Sequence, residues 1–368
     1  MNIAFDASDL CAGHADGTTR YTRELAARLP KLASEHTWNM MLQCSPPKAP
    51  TLADNASWAS SPWPKYWTQS RMPAELYKTK PDLLFMPIQQ LPAIRPRKMK
   101  TIAVIHDLAY HYFPEQFTYK NWLLLTIFGA QAINEADHLI AVSQATADDI
   151  KKIYGRTQNV HVVHHGVDHE VFHPPTNSQT SWNVLQAEYP SLKKPYILYV
   201  GQIQPRKNLI RLIEVFELLK KDAPELQLVI GGSHGWLRQP IEERVKASPH
   251  AKDILMLGRV PDALLPSLYA HAEVFTLVSL YEGFGIPVIE AMACGAPVVT
   301  SNTSSMPEVA GDAAVLVDPQ SVQSIADGIQ KARNMRDELS LKGIAQAKQF
   351  TWDTTAQKTF DIVTKCLS

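Results

Sequence analysis

Tyr281-Glu282-Gly283-Phe284-Gly285-Ile286-Pro287-Val288-Ile289-Glu290, running on into Ala291-Met292-Ala293-Cys294-Gly295-Ala296-Pro297-Val298-Val299, is the stretch from which the rest of the chain can be read. Two carboxylates lie eight positions apart, separated by a glycine pair, a proline and three β-branched residues. Glycine lets backbone approach a ligand closely, and Pro287 suits a first helical turn, where its missing N–H costs nothing. The segment reads as a loop breaking into a helix over Gly285–Ala293, with Glu282 in the loop and Glu290 about one turn inside, ~5–6 Å along the axis. A helix start offers unbonded N–H groups and the positive end of the dipole. With two carboxylates beside it, such a place suits a ligand that is part anion and part polyol, as a nucleotide sugar is.

Outward from this stretch, short apolar runs alternate with helical patterns, which is the signature of parallel α/β units. In the first half, strands are expected at Ile3–Asp6, Asn39–Gln43, Leu83–Met86, Thr101–His106, Asp137–Val142 and Val160–Val163, with helices at Arg20–Leu32 and Trp122–Glu135. In the second half, strands are expected at Tyr196–Val200, Gln227–Gly231, Ile254–Leu257, Val274–Val278, Val298–Ser301 and Ala314–Val317. Helices are expected there at Leu209–Lys221, Ala263–His271, Gly285–Ala293 and Val322–Arg333. The polar, proline-bearing segment 173–181 reads as a linker. This predicts two Rossmann-like domains, 1–172 and 190–351, with a last helix at 352–368 packing back onto the first. Ligands of such sheets bind beyond the carboxyl ends of the strands, so a cleft between the domains is the expected site.

A chain of 368 residues is long enough for two domains. Its 36 basic and 36 acidic residues cancel, so no global field draws it to nucleic acid, and anion binding must come from local placement. Cys11, Cys44, Cys294 and Cys366 are too scattered for a zinc knuckle or a disulfide framework, which points to a reducing compartment. The start, Met1-Asn2-Ile3-Ala4-Phe5-Asp6, reads as a strand rather than a signal peptide. No uninterrupted apolar run reaches membrane-spanning length. A cytoplasmic protein, or one held peripherally at the inner face of the membrane, is expected.

The strand Tyr196–Val200 leads through Gly201-Gln202-Ile203-Gln204-Pro205-Arg206-Lys207-Asn208 into an amphipathic helix. Arg206 and Lys207 thus fall at a strand-to-helix junction, where anions are favoured. Arg grips phosphate oxygens in a fork and Lys acts as a compact point charge.

Taken with the Glu282–Glu290 segment, this junction resembles the retaining glycosyltransferases of the GT-B fold, in the large family four that includes sucrose synthases and many bacterial mannosyltransferases. Further matches are Leu257-Gly258-Arg259-Val260, Val142-Ser143-Gln144-Ala145-Thr146, His165-Gly166-Val167-Asp168 and Phe350-Thr351-Trp352. The resemblance implies a catalytic set of His106, Glu282, Arg206 and Lys207. Arg206 and Lys207 would contact the donor diphosphate, Glu282 the transferred sugar and Glu290 the ribose hydroxyls. Backbone at Gly283, Phe284, Gly285 and Ile286 would meet sugar hydroxyls and phosphate, and Arg259 and Val260 would line the base pocket. His106, at a strand end, would contact the donor sugar. Gly17 matches one of a glycine pair near the diphosphate, while Thr18 stands where the family has the second glycine. The family implies no metal and no cofactor, the nucleotide sugar being a substrate.

Chemistry agrees with this division. A hydrolase must protonate a poor alkoxide leaving group, whereas a nucleoside diphosphate leaves as a stabilised anion and needs fixed cations and aimed N–H donors. The aromatic segment Trp58-Ala59-Ser60-Ser61-Pro62-Trp63-Pro64-Lys65-Tyr66-Trp67 reads as a loop, with Trp63 and Trp67 facing a saccharide or lipid-linked acceptor or else packing a proline-rich turn. His161, His164, His165, His169 and His173 read as pointing in different directions rather than as a metal cluster. The Gly231-Gly232-Ser233-His234-Gly235 run is a strand-end turn, lacking dinucleotide-binding spacing. The resulting expectation is a hexosyltransferase moving mannose from GDP-mannose in surface polysaccharide or glycolipid assembly. A nucleotide-sugar epimerase or hydrolase, or a silent nucleotide-sugar-binding subunit, are the alternatives on the same scaffold.

Overall fold

Each of the twelve apolar runs forms a strand, and a thirteenth strand joins them. The computed structural model describes residues 1–12, 17–44, 50–63, 65–233 and 239–368. Residues 13–16 of the loop before Gly17, Pro64 of the aromatic segment, and His234 and Gly235 of the glycine run lie outside the described residues.

The first sheet holds β1 (Asn2–Asp6), β2 (Thr37–Leu42), β3 (Ala56–Ser60), β4 (Leu83–Met86), β5 (Lys100–Ile105), β6 (His138–Ala141) and β7 (Val160–Val162), in the spatial order β3-β2-β1-β4-β5-β6-β7. The second holds β8 (Tyr196–Val200), β9 (Gln227–Gly231), β10 (Ile254–Gly258), β11 (Val274–Leu277), β12 (Val298–Ser301) and β13 (Val315–Val317), ordered β10-β9-β8-β11-β12-β13. Every neighbouring pair is parallel. Helices cover parallel sheets on both faces, which is why β4, β6, β11 and β12 are buried along their whole length and read as mostly apolar runs.

Contacts divide the chain into two compact units, Met1–Gly166 with Trp352–Ser368, and Val167–Thr351. In the first, the helix Trp352–Leu367 is tied by Asp353 to Arg28 at 2.8 Å and by the Thr355 hydroxyl to the His164 carbonyl at 2.8 Å. In each sheet the winding reverses once, between β1 and β4 and between β8 and β11. The carboxyl ends of strands at such a reversal form a crevice, because the loops on either side leave in opposite directions.

Three readings need correction. The aromatic segment does not start as a loop: Trp58 lies in β3, a half-buried edge strand pairing with β2. The expected linker is cut short by the helix Ser178–Glu188, capped by Asn177, whose side chain accepts from the Thr180 amide at 2.9 Å. Cys11 and Cys44 form a disulfide, although 33 positions separate them. The pairing of β1 with β2 brings the turn after one strand beside the end of the other, a proximity invisible in linear spacing. Cys294 and Cys366 are buried free thiols.

Candidate active site

The second unit gathers three expected residues into one ion cluster. Arg206 and Lys207 form a single 3-10 turn, Pro205–Lys207, after β8, and Glu282 follows β11, so both segments emerge at the β8/β11 reversal. Arg206 lies 3.2 Å from Glu282 Oε2 and also donates to the Tyr281 carbonyl at 3.0 Å, while Lys207 pairs with Glu282 Oε1. Ser279 donates to the same carboxylate at 2.7 Å. Glu282 is buried, and burial alone would raise its pKa. The charges of Lys207 and Arg206 and the hydrogen bonds from Lys207 and Ser279 outweigh that and hold it down to about 2.

The two segments are also fastened through backbone. The Leu280 amide donates to the Arg206 carbonyl at 2.9 Å. Buried Asn208, left-handed at φ 64, sends its side-chain amide to the carbonyls of Val278 at 3.0 Å and Pro319 at 2.7 Å. Asn tolerates that conformation better than most residues, so the basic turn is set before any ligand arrives. Ser304 accepts the Glu282 amide at 3.0 Å, and Ser305 Oγ lies 2.9 and 3.1 Å from the carbonyls of Glu282 and Phe284.

Gly285 caps the helix Ile286–Ala293 at φ 101, a left-handed conformation that favours glycine, and a Cβ there would also have to displace the end of the Met306 side chain, 2.5 Å away. Pro287 stands in the first turn. Glu290, one turn on, is buried and accepts from the Tyr269 hydroxyl at 2.9 Å. Gly283, Phe284, Gly285 and Ile286 therefore lie between the two carboxylates. At the ends of β8, β9 and β10 the backbones interlock: the Gly201 amide donates to Gly231 at 2.9 Å, and that of Gly232 to Gly258 at 2.7 Å. A Cβ on Gly232 would fall 1.8 Å from the Gly201 carbonyl oxygen, which is why that position is glycine. Arg259 and Val260 leave from this same edge, after β10.

In the first unit His106 follows β5, and its Nε2 donates to the Pro87 carbonyl at 2.7 Å. A carbonyl only accepts, so Nε2 carries a proton. The ring stacks on His165, centroids 5.4 Å apart and 11° from parallel, and Tyr21 meets both edge-on at 5.2 and 4.9 Å. Trp352 closes the cluster at 5.9 Å from His165. Burial first, then the neighbouring rings of His106 and His164, hold His165 well below the usual histidine range, so it stays neutral. The other histidines go elsewhere: His161 bonds His138 at 2.9 Å, His169 faces the Phe350 carbonyl and His173 the carbonyl of Pro174.

Gly17 opens the helix Gly17–Leu32. Trp63 is 42% exposed, but Trp67 is only 4% exposed. Trp67 packs with Met41, Met72 and Leu91, and its indole N–H donates to Asp6 at 3.1 Å. It is a core residue rather than part of an open surface. Asp6 ends β1 and is wholly buried; burial raises its pKa to about 6, against the pull of hydrogen bonds from Ser8 and Trp67.

Sequence reasoning missed Ser279, Ser304, Ser305, Asn208, Tyr269 and Asp6, as well as the contact of His165 with His106. A signal existed for Asp6, His165 and Ser279. In an all-parallel sheet every residue just past a strand lies on one edge, which places Asp6, His106 and His165 on one edge of the first sheet, and Arg206, Ser279 and Glu282 on one edge of the second.

Comparison with known proteins assigns the family and the fold. Residues 182–350 match the family described as Glycosyl transferases group 1, and residues 15–171 match Glycosyltransferase Family 4. The O-antigen chain mannosyltransferase B of Escherichia coli is 31% identical over 269 residues, 72% of this chain and 70% of that protein. Among solved structures, sucrose-phosphate synthase of Thermosynechococcus elongatus superposes with a TM-score of 0.78 at 19% identity, covering 99% of this chain and 98% of the other. Anabaena HepE, solved with UDP-glucose, gives 0.75 at 17% identity over 99% of this chain and 100% of its own. The fold is thus GT-B, two parallel-sheet α/β domains of seven and six strands. The chain belongs to the glycosyltransferases of group 1 and family four.

Proposed function

We propose that this glycosyltransferase moves a hexose, mannose from GDP-mannose, onto a saccharide or lipid-linked acceptor in the assembly of cell-surface polysaccharide or glycolipid, with retention of anomeric configuration and without a metal ion. The observation that carries the reading is the Arg206–Lys207 turn clamped against Glu282 at the β8/β11 reversal. Arg206 and Lys207, half-buried against the Glu282 carboxylate, are two fixed cations side by side, which suits a diphosphate of two or more negative charges. As the phosphates take the cations, Glu282 is released toward the sugar hydroxyls. Arg206 and Lys207 then stabilise the charge that grows on the departing diphosphate, where preorganised donors contribute most. Tyr269 holds Glu290 in one orientation for the ribose. His106, its ring held by the Pro87 carbonyl, would contact the donor sugar.

Mannose as the sugar is supported by the likeness to an O-antigen chain mannosyltransferase, and a nucleotide-sugar donor by HepE with its UDP-glucose. No described helix is long and apolar enough to cross a membrane. A cytoplasmic enzyme that meets its acceptor at the membrane surface fits the reading. The test is a thermal-shift screen of UDP-, GDP- and ADP-sugars, since a ligand raises apparent stability by mass action. GDP-mannose should raise the melting temperature most, with or without a chelator. A larger shift with UDP- or ADP-sugars refutes the donor assignment, and loss of the shift on chelation refutes metal independence.

A further inference from the structure

One face of the first unit has no role in the site described above. The helix Tyr119–Glu135 carries Tyr119, Leu123 and Ile127 at successive four-residue steps, and these are 74%, 36% and 52% exposed. Residues four apart stack on one side of a helix, so the three form an apolar stripe about 12 Å long at 1.5 Å per residue. No charged residue interrupts the helix between Lys120 and Glu135. Exposed Tyr66 adjoins its start, with the Lys120 ammonium 5.7 Å from that ring, and exposed Lys65 precedes Tyr66. At the other end Glu135 is neutralised by Arg95 at 2.9 Å, and the Arg95 carbonyl accepts from Tyr77 at 3.2 Å. Tyr77 in turn borders a groove of about 590 Å³ whose charged lining is Lys80, Arg97, Lys98 and Lys100 against the single acid Asp82.

Charge separates the possible occupants of this face. Residues 61–135 hold nine Lys and Arg against five Asp and Glu, a net of +4 in a chain whose total is zero. An exposed apolar stripe bordered by tyrosines, with lysines at its start and a basic groove at its far end, matches a bilayer whose surface is anionic. Leucine and isoleucine enter the acyl boundary, tyrosine settles at the headgroups, and cations meet the phosphates. A second copy of the chain would bring the same +4 segment against itself.

We propose that the helix Tyr119–Glu135 lies flat on an anionic phospholipid surface, with Tyr119, Leu123 and Ile127 inserted and Lys65, Lys120 and the Lys80–Arg97–Lys98 groove on the headgroups. The inference extends the lipid-linked acceptor reading, because docking by this face would hold the first unit at the membrane where such an acceptor resides.

The experiment is co-sedimentation of the full chain with vesicles of phosphatidylcholine alone and of phosphatidylcholine mixed with phosphatidylglycerol, over a range of salt. Binding should favour the mixed vesicles and weaken as salt rises. Leu123→Ser with Ile127→Ser should cut it by roughly tenfold or more, and Lys65→Glu with Lys120→Glu should remove the preference for anionic lipid. These side chains are exposed, and unchanged melting temperatures will show that the variants fold. Transfer from GDP-mannose to a water-soluble acceptor should be unaffected, which separates this inference from the catalytic reading. Vesicle binding without any transfer supports docking and counts only against the donor assignment. Wild-type-like binding by both variants, equal binding to neutral vesicles, or a dimer that the Leu123→Ser/Ile127→Ser protein cannot form, without vesicle binding, overturns it.

Discussion

Replacing Glu282 with glutamine keeps the shape of the ion cluster and removes its negative charge. Glu282 ionises near 2 in the folded protein against an ordinary value of 4.5. At about 1.4 kcal/mol per pH unit, that difference corresponds to about 3 kcal/mol of folding free energy. The cost of taking the buried partner from two half-buried cations, at most the ~3–5 kcal/mol of a fully buried pair, is of the same size. Because the folded value is depressed, the stabilisation is complete above pH 4.5 and is lost as pH falls toward 2. Glu282→Gln should therefore melt well below wild type at pH 7, by roughly 6–12 °C for a unit of this size. The gap should narrow by about half at pH 3. GDP should then raise the melting temperature of the variant more than that of wild type, since the diphosphate no longer competes with a glutamate for Arg206 and Lys207. Calorimetry at both pH values, with and without GDP, measures all of this. A variant as stable as wild type at pH 7 would refute the role of the cluster in stability. An equal or smaller gain from GDP would refute the idea that the two cations receive the diphosphate.

Other outcomes follow from the same geometry. Lys207→Ala should depress turnover by about 2–4 kcal/mol in activation free energy, the scale of a lost electrostatic donor, while Glu290→Ala should mainly weaken donor binding; steady-state kinetics separates the two. Asp6 titrates near 6 when folded against 3.8 otherwise, so its folded state holds the proton longer and stability should fall as pH rises from about 4 to 6. Asp6→Asn should flatten that part of the profile, and a profile unchanged by the substitution would show that Asp6 does not cause it. Thiol titration of air-purified, denatured protein should find two reactive cysteines, Cys294 and Cys366, and two more after reduction of the Cys11–Cys44 bond; four before reduction would contradict the pairing.

What could be read from the sequence follows from how each feature is encoded. Buried parallel strands are encoded locally, as short, mostly apolar runs rich in β-branched and aliphatic residues, so β4, β6, β11 and β12 stood out. Ala56-Ser57-Trp58-Ala59-Ser60 has no such run, because an edge strand buries little, and β3 went unread. The helix Ser178–Glu188 buries only Leu185 and therefore looks like a polar linker. Arg206, Lys207, Glu282 and Glu290 were visible as residue types in the right spacing, but their pairing was not. Arg206 and Glu282 are 76 positions apart and meet only because β8 and β11 are neighbours at the sheet's reversal. The Cys11–Cys44 bond and the stack of His106 on His165 were hidden for the same reason.

One transfer reaction tests the donor and the retention of configuration together. The protein, incubated with GDP-α-mannose and a mannose-terminated acceptor glycan, should release GDP in step with a new mannosyl linkage. The one-bond C1–H1 coupling of the added residue, read by NMR, reports its anomeric configuration. An α-mannosidic product, formed by wild type and lost in Lys207→Ala, is the predicted result. A β-linked product, or GDP released with no product formed, would contradict it.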